Sequence, residues 1–122
     1  MNTYPSELDF ISLFECLPTK KDKDELYEYD ETTFTFEVGN HACDIMICPF
    51  YSQFSLEVKT INENELVCFY HFQSVDRIEI LSDKKEHSAT RLFMEGDRDR
   101  FMTIMEITFK PRFKVIMKEI FG

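Results

Sequence analysis

Thr32-Thr-Phe-Thr-Phe-Glu-Val-Gly-Asn-His-Ala-Cys-Asp-Ile-Met-Ile47 decides the fold. Phe34, Phe36 and Val38 alternate with Thr33, Thr35 and Glu37, and Gly39-Asn40 is a pair suited to a hairpin turn. On the return Cys43, Ile45 and Ile47 continue the pattern, Asp44 faces away and Pro49 breaks the strand. A side-chain period of two puts one set of residues in a core and the other in water, as strands do and helices do not. Two such runs joined by a glycine-asparagine pair predict an antiparallel hairpin.

The same reading extends downstream. Phe54, Leu56 and Val58 alternate with Ser55, Glu57 and Lys59, and Asn62-Glu63-Asn64-Glu65 is a polar turn. Leu66 to Phe72 is apolar on both faces, which predicts a central strand covered on both sides, with a helix as the cover. Val75 to Leu81 forms a strand with Ile78 and Ile80 inward, followed by a polar loop from Ser82 to His87. Thr90, Leu92 and Met94 alternate with Arg91 and Phe93, and Gly96-Asp97 turns the chain again. Phe101 to Phe109 carries Met105, Ile107 and Phe109 on one face. From Pro111 onward the pattern fits either period: Phe113, Val115 and Met117 as a strand, or Phe113, Ile116, Met117 and Ile120 as a helix.

Upstream the period is helical. Ser6-Glu7-Leu8-Asp9 has an N-capping residue followed by acids in the first turn. Leu8, Ile11, Phe14 and Leu17 recur at helical spacing, Phe10 and Leu13 widen the stripe, and Pro18 closes it. An amphipathic helix over Ser6 to Leu17 is expected to face the core. The expected class is therefore α+β: an N-terminal helix packed on a curved antiparallel meander of about seven strands, in one domain spanning residues 1–122. A helical tail gives the alternative of a pleckstrin-homology-like barrel closed by a C-terminal helix.

Charge divides the chain. Up to Glu65 there are fourteen acids and four bases, and from Leu66 nine acids and ten bases, so the net −9 belongs to the first half. Its densest part is Asp22-Lys-Asp-Glu-Leu-Tyr-Glu-Tyr-Asp-Glu31, six carboxylates and two tyrosines against Lys23. In a strand Glu28 and Asp30 would share a face about 7 Å apart. In a helix Asp24, Glu28 and Glu31 would line one side. Either form presents carboxylates beside a tyrosine. Such a field repels nucleic acid and anionic membranes and attracts basic surfaces. Lys110, Arg112, Lys114 and Lys118 form a smaller basic patch that offsets it.

Reaction chemistry finds little to work with. Gly39, Gly96 and Gly122 fit no phosphate-binding or dinucleotide-binding loop, so no cofactor is expected. His41, Cys43, Cys48, Cys68 and His71 hold zinc-ligand types, but strand alternation turns Cys48 away from His41 and Cys43, and Cys68 away from His71. No metal is expected, and the same alternation separates Cys68 and His71 as a nucleophile pair. Asp22-Lys-Asp-Glu starts like a calcium loop but places Tyr27 where glycine is required and Thr33 where a bidentate glutamate is required. These readings predict a protein that is not an enzyme. Met1 to Glu7 has no basic or apolar run of the export type, and the longest wholly apolar run is Leu66 to Tyr70, which predicts a cytoplasmic protein with reduced thiols.

A short, acidic α+β chain with an acid-and-tyrosine patch and no catalytic signature resembles the bacterial immunity proteins encoded beside polymorphic or contact-dependent toxins. The resemblance implies a protein that binds one cognate toxin, often a nuclease, and blocks it. On that reading Asp22, Asp24, Glu25, Tyr27, Glu28, Tyr29, Asp30 and Glu31 carry the contact with a basic protein surface. Carboxylates steer the encounter and tyrosines supply anchors. Two other readings stand beside it. A curved sheet rich in phenylalanine could enclose an apolar ligand in a cavity lined by Phe34, Phe36, Phe54 and Phe72. An adaptor subunit of a larger assembly would expose Ile116 and Phe121 on its tail.

Overall fold

A computed structural model describes residues 1–95 and 101–121. Among these residues the chain forms one helix and nine strands. The helix, α1, spans Glu7–Phe14. The strands are β1 (Thr19–Lys20), β2 (Thr32–Val38), β3 (His41–Cys48), β4 (Gln53–Thr60), β5 (Leu66–Phe72), β6 (Val75–Lys84), β7 (His87–Glu95), β8 (Phe101–Lys110) and β9 (Lys114–Phe121).

The strands make two antiparallel sheets, each in simple chain order: β1-β2-β3-β4-β5 and β6-β7-β8-β9. The expected meander of about seven strands is therefore nine strands divided between two sheets. The hairpin that set the reading is present in register, with Phe34 opposite Ile45, Phe36 opposite Cys43 and Gly39 at φ 56° in the turn. The tail, which admitted either period, is a strand. β9 pairs with β8 from Thr108↔Lys114 to Phe101↔Phe121, so the barrel alternative with a C-terminal helix is overturned. Tertiary pairing outweighs an ambiguous local pattern. Ser82 to His87 is less loop than expected, since β6 runs to Lys84 and β7 begins at His87. The turn expected at Gly96-Asp97 lies outside the described residues.

Ser6 caps α1 in a reciprocal box: its hydroxyl accepts from the Asp9 amide (3.1 Å), and the Asp9 carboxylate accepts from the Ser6 amide (2.9 Å). The helix stops earlier than Pro18, because Glu15 adopts φ 54°, ψ 37° and cannot continue it. Lys110 pairs with the Glu15 carboxylate and holds it below the usual carboxylate range. The buried face is Phe10, Leu13 and Phe14, whereas Leu8 and Leu17, counted in the expected stripe, are exposed.

The inner faces of both sheets and α1 form one buried cluster. Phe14 sits where the three meet. Its ring lies 5.2 Å from Phe34 and 4.7 Å from Phe36 on the first sheet, and 5.2 Å edge-on from Phe109 on the second. Phe10 stacks at 5.7 Å on Phe14 and lies 5.9 Å from Phe34. Of the phenylalanines named as a cavity lining, Phe34, Phe36 and Phe72 pack on other rings, and Phe34 and Phe54 are buried in the core.

The expected cover of Leu66 to Phe72 is a correction. β5 is the outer strand of the first sheet, and Leu66, Val67 and Phe69 are exposed. The helix packs elsewhere, beside β6, where the Ser12 hydroxyl donates to Asp83 (2.7 Å). An edge strand that is apolar on both sides has the same sequence pattern as a buried one.

Phe14→Ala is expected to destabilise the fold by about 3–5 kcal/mol, the range for emptying a buried aromatic site. Leu8→Ala should change it by less than about 0.5 kcal/mol. Chemical denaturation of both variants checks the contrast.

Candidate protein-binding surface

The acidic stretch is an excursion between two paired strands. β1 meets β2 at Thr19↔Thr33 and Lys20↔Thr32, and the Lys21 amide donates to the Glu31 carbonyl (3.1 Å). Between these ends Tyr27–Tyr29 makes one turn of 3-10 helix, so neither the strand nor the α-helix geometry expected for the carboxylates is adopted. Several acids fold the loop themselves. The Asp22 amide donates to both Asp30 carboxylate oxygens at 3.2 Å, and the Asp22 carboxylate accepts from the Asp24 amide at 3.0 Å. The Lys20 ammonium donates to the Glu25 carbonyl at 2.6 Å.

These contacts sort the eight residues singled out by sequence. Asp22, Asp24, Glu25 and Tyr29 are exposed, and Glu28 and Glu31 are half-buried. Glu31 lies 3.7 Å from Lys21. Tyr27 and Asp30 turn inward. Tyr27 packs against the core, its hydroxyl donates to the Pro5 carbonyl (3.2 Å), and burial pushes its phenol up. Asp30 is only 4% exposed and holds the loop rather than facing outward.

Folding brings a second element to this surface that sequence reading passed over. The turn between β3 and β4 carries Phe50 and Tyr51, 61% and 62% exposed. The Phe50 amide donates to the Glu28 carbonyl (2.9 Å), which ties the turn to the acidic loop. Tyr29 lies 5.2 Å from Phe50, and Phe50 lies 5.0 Å edge-on from Tyr51. Leu26 is also exposed. Met1, Tyr4, Leu26, Glu28, Tyr29, Pro49 and Phe50 line a shallow cleft of about 430 Å³. The signal was present in sequence as two aromatics directly after the strand-breaking Pro49, off the alternating pattern and therefore not core.

The result is an exposed aromatic patch with Glu28 in its cleft, on the same loop that carries the exposed Asp22, Asp24 and Glu25. Large aromatic rings at a surface give contact area at low entropy cost, and carboxylates at the rim favour a cationic partner. The thiols and imidazoles are elsewhere. Cys68 faces inward opposite Val58, while His71 is exposed opposite Ser55. Burial pushes the Cys43 thiol up to about 12 and raises those of Cys16, Cys48 and Cys68. At neutral pH these are protonated groups, poor as nucleophiles or metal ligands.

Comparison with known proteins returns no matching family model and no matching curated protein. In three dimensions the chain is similar to a chain of a contact-dependent growth inhibition toxin–immunity protein complex from Klebsiella pneumoniae 342. The TM-score is 0.76 at 13% sequence identity, and the match covers 98% of this chain and 97% of the other. The fold inferred to lie among toxin–immunity systems is thus found in one.

Two measurements bear on this description. Asp30→Ala should cost about 1–3 kcal/mol, because it strips the buried acceptor from the Asp22 amide, whereas Asp24→Asn should be near neutral; denaturant titration separates them. Cys43 contributes stability that is present below the ordinary thiol value of about 8.5 and is lost as pH rises toward its folded value. The denaturation midpoint should therefore fall on passing from neutral to strongly alkaline pH, and Cys43→Ala should flatten that fall.

Proposed function

We propose that this chain is an immunity protein, a non-enzymatic inhibitor that binds and neutralises a cognate toxin domain with a basic, nuclease-like surface. The observation that carries the reading is the exposed group of Leu26, Tyr29, Phe50 and Tyr51 with Glu28 in its cleft, on a loop that also exposes Asp22, Asp24 and Glu25. The likeness in fold to a chain of a toxin–immunity complex supports the class of partner. The net charge of −9 supports the inhibitor side of such a pair, since a nuclease must hold a polyanion and an acidic surface repels one.

The mechanism is competitive occupancy. Carboxylates accelerate encounter with the basic surface that would otherwise receive nucleic acid. The aromatic side chains then bury themselves against the partner and slow dissociation, because a few desolvated aromatic anchors carry most of the energy of such contacts. Tyr27 and Asp30 contribute by holding the loop in shape, and Glu31 is partly neutralised by Lys21. The encounter takes place in the cytoplasm and requires no cofactor, metal, nucleic acid or membrane.

An adaptor role is favoured by one observation, the exposure of Ile116 and Phe121 on β9, where Phe121 meets Phe101 at 4.8 Å. The immunity reading is preferred because it also accounts for the charge.

The test sequences the reading frames beside this gene and uses any toxin domain with a basic surface that they encode. The chain should bind it and restore growth of cells that express it. The Tyr29→Ala/Phe50→Ala pair should weaken binding by about 30-fold or more, mainly through faster dissociation. Neutralising Asp22, Asp24 and Glu28 together should slow association at low salt and have little effect at high salt. Unchanged affinity at low salt in both variants overturns the surface. Growth arrest on expressing this chain alone overturns the inhibitor assignment.

A further inference from the structure

Two sheets in simple chain order leave four outer strands, and three of them are guarded. β1 is two residues long. β6 is bridged by Thr3, whose carbonyl accepts from the Ile78 amide (3.0 Å), and α1 lies beside it. β9 carries Lys114, Lys118 and Glu119, and charged side chains on an edge oppose pairing with another strand. β5 has no charge, bridging segment or helix beside its free edge among the described residues. Leu66-Val-Cys-Phe-Tyr-His-Phe72 contains no lysine, arginine, carboxylate, proline or glycine. Its one irregularity is a bulge at Val67, which has no partner on β4, so the regular edge runs from Cys68 to Phe72. Among the described residues β4 is its partner on one side and no strand pairs on the other. Leu66 and Phe69 are 59% and 58% exposed, and Val67 is exposed beside them.

A strand edge of seven residues, apolar on both faces, is a template for strand addition. We infer that β5 pairs with β5 of a second copy of this chain, antiparallel, about a two-fold axis through Phe69. Three features select that occupant. The strand carries no formal charge, so no like charges meet along the paired edge itself. The register centred on Phe69 sets Phe69 against Phe69 on the outward face and Cys68 against Tyr70 on the inward one, with the bulged Val67 near His71 at the end of the overlap. The acidic turn preceding β5 then lies clear of itself: Glu65 falls opposite Gln73 and Asn64 opposite Ser74. Parallel pairing would set Glu65 beside Glu65. An incoming basic strand is disfavoured, because Glu57, the cross-strand neighbour of Phe69, already has Lys59 3.3 Å from it.

An isologous contact of this kind joins the two five-stranded sheets into one continuous sheet. It leaves the acidic loop and the turn carrying Phe50 and Tyr51 outside the contacting strand. The inference stands on β5 alone and does not depend on the partner proposed above.

Light scattering on the eluting intact chain, over about a hundredfold range of concentration, tests it by mass action. The mass should rise from 14.6 kDa toward twice that value, and exchange of β5 amides should slow as concentration rises. Phe69→Lys places like charges opposite each other and should weaken association by about tenfold or more, with the melting transition retained because the side chain is exposed. Ile116→Lys on β9 should leave association unchanged. A mass that stays at 14.6 kDa throughout overturns the inference. So does a dimer indifferent to Phe69→Lys, or β5 protection that arises only when a toxin domain is added, since a foreign strand would then be the occupant.

Discussion

The contact on which the rest depends is the wedge of Phe14 between the two sheets. Among the described residues neither sheet closes on itself, and each buries its apolar face against the other sheet and α1. A helix of eight residues supplies the ring that touches Phe34, Phe36 and Phe109 together. Aromatic pairs at these separations add about 0.5–1.5 kcal/mol each beyond the area they bury. The wedge also fixes the entry of the chain. Thr3 bridges to β6, and Tyr27 donates to the Pro5 carbonyl, so the segment before the helix is tied to the acidic loop. The position of the proposed surface follows from a hydrophobic contact inside the molecule.

Strands β2, β3 and β4 were legible because each has one dry face and one wet one. Their alternation is a direct record of that difference, and register follows from it. The helix start was legible for a similar reason, since Ser6 and Asp9 meet a specific backbone need. Its end was not, because a left-handed Glu15 leaves no mark in composition. β9 was ambiguous because Lys-Val-Ile-Met-Lys-Glu-Ile-Phe supports both periods, and eight paired positions on β8 decide between them. β5 was misplaced because apolarity reports that a surface favours cover without saying what covers it. The same pattern serves a strand buried inside its own chain and one that waits at an edge.

The acidic stretch was found by charge, but charge did not sort its members. Asp30 and Asp24 look alike in sequence, yet one is buried as an acceptor for a backbone amide and the other faces water. Tyr27 and Tyr29 divide in the same way, one toward Pro5 and the core, the other toward Phe50. A period shorter than a helical turn and longer than a strand pair produced this split, and only the 3-10 geometry specifies it. Phe50 and Tyr51 reach the site from nineteen or more residues downstream of the loop's last acid, which no local pattern could anticipate.

The account rests on an aromatic patch with a carboxylate rim being the face that meets a cationic protein. Hydrogen exchange on the chain with and without a toxin domain that it binds addresses this most directly, because it reports every backbone segment at once. The prediction is slowed exchange concentrated in residues 21–31 and 49–52. Complex formation with those two segments unchanged, and protection confined to other strands, would contradict it.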